Sequence, residues 1–246
     1  MAFLKKTAVA LTAMATLGVT AARAELILVG PVTLGGTGLG TVNTVLTLQN
    51  SPVEAGCVAF AGASGDQIGT SQLGGVCTGP GGDVKTGNSQ TQTRTLSEAG
   101  ITSGANFAVF FNPVEPAGNS ITLNSLSVSF YNNAGVLLHT AVFTGAPVNF
   151  LTTDTGTGKT GQMFQLNATE IGVVQTFINS LGLAGIHVGL ATSLGAPLSS
   201  EGGPETFFIF NSATTPSTVP EPSTTVLLAT GLLGIVGFVR RRQKQL

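Results

Sequence analysis

ITLNSLSVSFYNNAGVLLHTAVF, residues 121–143, is the most informative segment of the chain. Leu126, Val128 and Phe130 alternate with Ser125, Ser127 and Ser129, the period of a strand with one face in a core and the other in water. Ile121 and Leu123 carry the opposite parity, so the apolar face switches near Asn124-Ser125. A bulge or a bend there would reconcile the two halves. Asn132-Asn133-Ala134-Gly135 then has hairpin-turn chemistry, and 136–143 resumes as the partner strand.

Working outward, the same combination of short apolar runs and turn residues recurs at 45–48, 107–111, 163–166, 186–191 and 206–210. Charged residues make up only 9% of the sequence and glycine numbers 34, a composition that favours short strands and tight turns over helices. One helix is expected after Asn167. Asn167-Ala168-Thr169-Glu170 is a capping box, Ile171, Val174, Ile178 and Leu181 follow at helical spacing, and Gly182 stops the run. It is expected to cap one end or face of the sheets. The fold class is therefore all-β: a β-sandwich of jelly-roll or immunoglobulin-like character over 25–211, with one short helix. No fixed-period repeat points to a solenoid or propeller.

Cys57 and Cys77 are the two cysteines of the chain. Without a Cys-x-x-Cys spacing they read as a structural disulfide closing a glycine-rich loop, 62–75, that has little else to hold it. Between Glu25 and Thr218 only Lys85, Arg94 and Lys159 are basic against ten acids, a net charge of about −7. Such a body lacks the basic footprint that phosphate backbones require, so nucleic acid is not an expected partner.

No catalytic residue, cofactor or metal ligand set is legible. Gly156-Thr157-Gly158-Lys159-Thr160 ends like a phosphate-binding loop, but Thr153 stands where the first glycine belongs and a strand follows instead of a helix. His139 and His187 lie in separate strands with no second ligand at metal spacing and read as packed or surface histidines. Asp66, Asp83 and Asp154 lie in loops as turn stabilisers. There is no Gly-x-Ser-x-Gly elbow, no tryptophan and a single tyrosine, Tyr131, which weakens both hydrolase and lectin readings. Thr91, Thr93 and Thr95 share one face of a polar edge strand or loop.

Both ends read as targeting segments. Lys5 and Lys6, an apolar run over 7–21, and Ala22-Arg23-Ala24 form a signal peptide, residues 1–24, to be cut by signal peptidase after Ala24. A linker, 212–222, precedes an uncharged stretch, 223–239, expected as a transmembrane helix of about 25 Å whose small deficit against a bilayer core a snorkelling Arg240 makes up. The basic tail, 240–246, carries Arg240, Arg241 and Arg242, which would hold it in the cytoplasm and leave the body outside the inner membrane. Val219-Pro220-Glu221-Pro222, followed directly by a span and an arginine cluster, resembles the PEP-CTERM tail of Gram-negative bacteria. The resemblance covers roughly the last 28 residues. It implies recognition by an exosortase through Pro220, Glu221 and Pro222, with Val219 as the preceding apolar residue. It further implies removal of the tail and delivery to the cell surface or an extracellular polysaccharide matrix. Two prolines would keep that segment extended and free of internal hydrogen bonds, as a protease groove requires.

Overall fold

The computed structural model describes residues 25–33, 43–73, 75–87, 90–114, 120–151, 160–198 and 202–214. In chain order the strands are β1 (Glu25–Thr33), β2 (Asn43–Leu48), β3 (Glu54–Phe60), β4 (Asp66–Gly69), β5 (Ser71–Leu73), β6 (Val76–Thr78) and β7 (Arg94–Thr95). There follow β8 (Phe107–Asn112), β9 (Ser120–Asn132), β10 (Leu137–Phe143), β11 (Val148–Leu151), β12 (Thr160–Leu166), the helix α1 (Ala168–Leu181), β13 (Ile186–Leu194) and β14 (Glu205–Asn211).

The all-β expectation holds, and each strand read from sequence is present. The two-sheet division is not. Twelve strands form one continuous sheet in the order β2-β14-β8-β12-β1-β10-β9-β13-β3-β4, with β11 beside β9 and β7 beside β13. The physical reason lies in the ladders: Val29, Val45, Asn124 and Leu138 are each an extra residue between paired neighbours. Bulges bend a strand and raise its twist, so a single sheet curls round its own core where a flat pair of sheets would be needed otherwise. Phe107, Phe111, Phe130, Phe164 and Phe207 fill that core, all fully buried, together with Leu46, Val128 and Leu190.

β9 is the spine. It pairs with β13 along nearly its whole length, while its other edge serves β11 over the first half and β10 over the second. The parity switch read near Asn124 is a bulge at that residue: Ser125 pairs with Ser193 and Leu123 with Leu194. Ile121, Leu123, Leu126, Val128 and Phe130 consequently all face the same core. The β9–β10 turn is held by Asn132, whose side-chain Oδ1 accepts from the amides of Ala134 and Val136, and Gly135 takes φ +78°.

The free edge of β2 is covered by the segment leading into β7. Lys85 N donates to Thr47 O, Gln92 N to Val45 O and the Arg94 side chain to Thr44 O. Thr91, Thr93 and Thr95, expected on a polar edge, are used here: Thr91 Oγ1 accepts from Thr47 N, Thr93 donates to Asp66, and Thr95 donates to Glu98. This blunts an edge that would otherwise template pairing with another chain.

The loop between the cysteines is better ordered than its glycine content suggests. β4 pairs with β3, and β5–β6 form a small hairpin of their own. The expectation of a loop with little to hold it is corrected accordingly, because main-chain pairing, which needs no large side chain, does the holding.

The chain enters and leaves this unit at one pole. Ile27, Gln165, Ala108 and Phe210 form a single row across β1, β12, β8 and β14. Three strand spacings separate its ends, about 14 Å. Gln165 Nε2 donates to Ser212 Oγ at 3.0 Å in the same neighbourhood. α1 leaves β12 at this pole and packs on 104–106 and 183–185, with Val174 buried in the core, so the helix caps one end of the curled sheet as expected.

Candidate functional site

The outer face of the sheet, away from the phenylalanine core, carries small hydroxylated and apolar residues where β10, β9 and β13 run side by side. On β9 these are Ser125, Ser127, Ser129 and Tyr131; opposite them stand Ser193, Ala191, Gly189 and His187 on β13, and Thr140 and Val142 on β10 lie on the other flank. The β5–β6 hairpin leans over this face as a flap. Between flap and sheet lies a groove of about 630 Å³, lined among others by Thr70, Gln72, Ser127, Thr140 and Ser193. Among the described residues its lining side chains include no acid, base or thiol.

The flap is positioned by covalent and polar ties. Cys57 of β3 and Cys77 of β6 form the disulfide expected from sequence. Tyr131 Oη donates to Gly75 O at 2.7 Å and accepts from Gln72 Nε2 at 2.9 Å. Gln72 Oε1 in turn accepts from Ser127 and Ser129. Cys57, Ala59, Cys77 and Tyr131 make a small second core under the flap, with Leu137 and Ala191 against it. Burial raises the Tyr131 phenol above its ordinary pKa of 10, opposed by its hydrogen-bonding neighbours Ser129 and Gln72, so it is neutral and able to donate to Gly75. The Tyr131 ring crosses β13 at Gly189, where a Cβ would meet Val58 O at 2.3 Å and Tyr131 Cε2 at 3.1 Å.

The hydroxyls of the floor are paired but not exhausted. Ser125 and Ser193 share a hydrogen bond of 3.0 Å, and Ser129 and Thr140 another of 3.0 Å. A serine so engaged keeps an acceptor lone pair for a ligand hydroxyl.

Both histidines, read from sequence as packed or surface residues, are packed. His139 of β10 meets Glu170, in the first turn of α1, through Nε2 and Oε2. The capping box is thereby half made: Asn167 Oδ1 accepts from Glu170 N, while the Glu170 carboxylate, 2% exposed, turns to His139. The contact joins helix to sheet. His187 stacks on Phe60 with ring planes 4° apart and bonds through Nε2 with Asn133 Oδ1. Asp83 accepts from Asn50 and from Ala55 N, and Asp66, the first residue of β4, accepts from Thr93 N; the expectation of turn stabilisers is corrected for both, since each ties segments distant in sequence. Among the described residues no three metal-ligating side chains gather.

The groove was not legible from sequence, although its floor lies in the most informative strand. Ser125, Ser127 and Ser129 read there as a solvent face. The available signal was serine at every second position opposite a second hydroxyl-bearing strand. What was missing was the flap.

The remaining expected site residues, Ala24 of the signal cleavage point, Val219, Pro220, Glu221 and Pro222 of the sorting motif, and Arg240, Arg241 and Arg242, lie outside the described residues. So do the expected signal peptide, 1–24, the membrane helix, 223–239, and the loop with Asp154 and Lys159. Among the described residues no helix is long and apolar enough to cross a membrane. No curated protein and no solved structure matches the chain. A family model does: residues 218–242 match the PEP-CTERM protein-sorting motif, over the same segment where Pro-Glu-Pro, uncharged stretch and arginines follow one another. The chain thus carries a PEP-CTERM sorting motif at its C-terminal region, the mark of a protein sorted by an exosortase to the cell surface.

Proposed function

We propose that this chain is a non-enzymatic surface or extracellular-matrix protein: exported by its signal peptide, held at the inner membrane facing the periplasm, and released to the surface when exosortase removes the tail. The match over 218–242 carries this reading. The described unit supports it in three ways. Entry and exit at one pole suit a body tethered at both ends to one membrane during processing. The disulfide suits an oxidising compartment. A groove without acid, base or thiol favours display and contact over hydrolysis.

The motif itself is tested by Glu221→Ala in the full chain expressed in its host. We expect the variant to keep its tail and to stay in the membrane fraction while wild type is released. Equal release of the variant would contradict recognition through Pro-Glu-Pro.

A further inference from the structure

We infer that the groove under the β5–β6 flap binds a segment of neutral glycan. This goes beyond sorting, which requires no ligand, and the two readings fail separately.

Charge and shape select the ligand class. Anionic phosphates, nucleotides and polyuronates find no cation in the lining and meet a body of net charge about −7. Cations find no carboxylate there. A purely apolar ligand would leave unused the spare acceptor lone pairs of the serine and threonine hydroxyls, which are otherwise paired within the protein. A neutral polyol suffers none of these penalties. Its hydroxyls can donate to the acceptor lone pairs left on Ser127, Thr140 and Ser193, while Leu137, Val142 and Ala191 offer aliphatic surface to its C–H faces. The volume, about 630 Å³, lies within the range of small-ligand sites.

The groove exists because the outward positions of β9 and β13 are small. Large side chains at Ser127 or Ala191 would fill the space below Gln72. The flap stays raised because Cys57–Cys77 and the Tyr131–Gly75 bond fix it at its far side. Among the described residues no aromatic ring lines the groove to stack on a sugar, so affinity per site is low, with a dissociation constant on the order of 1 mM. A repeating polymer meeting many displayed copies compensates through avidity.

The test is calorimetric titration of the chain, purified from its host, with cellohexaose, maltohexaose and a galacturonate hexamer. Ser127→Leu fills the groove and removes a hydroxyl. Ser193→Ala removes a single oxygen from an already open position and serves should the first variant fail to fold. We expect saturable binding of at least one neutral hexamer, weakened about tenfold or more by Ser127→Leu and measurably by Ser193→Ala, with the uronate binding more weakly. Absence of saturable binding to both neutral hexamers at about 10 mM, binding that folded variants leave unchanged, or uronate binding as tight as neutral would each overturn the inference.

Discussion

His187 is the residue whose environment makes the clearest prediction. It stacks on Phe60 within the sheet's outer face, and burial lowers its pKa below the ordinary 6.5; the charges of Glu98 and Asp66 pull the other way without reversing the shift. A lowered folded-state value means that the unfolded chain takes up the proton first. The contribution is therefore fully present above about pH 6.5 and is lost as pH falls through that value toward the lower folded one. The urea midpoint of wild type is expected to fall relative to His187→Asn as the solution is acidified below pH 6.5. A difference between the two proteins that does not change with pH would contradict this. Sequence alone left His187 as either packed or surface and gave no hint of its partner, because Phe60 lies 127 positions away and reaches it through the β3–β13 region of the sheet. His139 makes the same point. Its helical partner Glu170 looked committed to the capping box, and only the position of α1 against the sheet diverts that carboxylate.

At the scale of elements, local periodicity carried far and non-local pairing did not. β9 could be read along its length, including the irregularity that proves to be a bulge, since the parity of Leu123 against Leu126 is written in four consecutive residues. α1 was equally plain from its cap and its stop at Gly182, which adopts φ +73°. The segment between the cysteines was not, for its strands are three or four residues long and glycine-rich, held by main-chain bonds that leave no side-chain pattern. The disulfide decides how firmly that flap sits. Joint replacement of Cys57 and Cys77 by serine is expected to lower stability by about 3 kcal/mol, the value for closing a loop of about this length. Proteolysis should then cut first within 62–79. An unchanged melting temperature and an uncut flap would show that the polar ties of Tyr131 and Gln72 suffice.

For the whole molecule, one continuous curled sheet replaces the expected pair. The difference is physical and not one of strand content: a sandwich and a curled sheet use the same alternating strands, and only bulges at Val29, Val45, Asn124 and Leu138 choose between them. Three of those four sit in strands whose sequence gives no parity break. The curl places the start of β1 and the end of β14 at the α1 pole and leaves the groove on the flank, open to whatever surrounds the displayed protein. The most direct test of this account is the intact mass and cell fraction of the protein from its host, with and without the exosortase. The account predicts a chain that begins at Glu25, has lost the residues beyond the Pro-Glu-Pro region and is found at the surface only where the enzyme is present. A chain that keeps its tail and stays in the membrane fraction in both strains would contradict it.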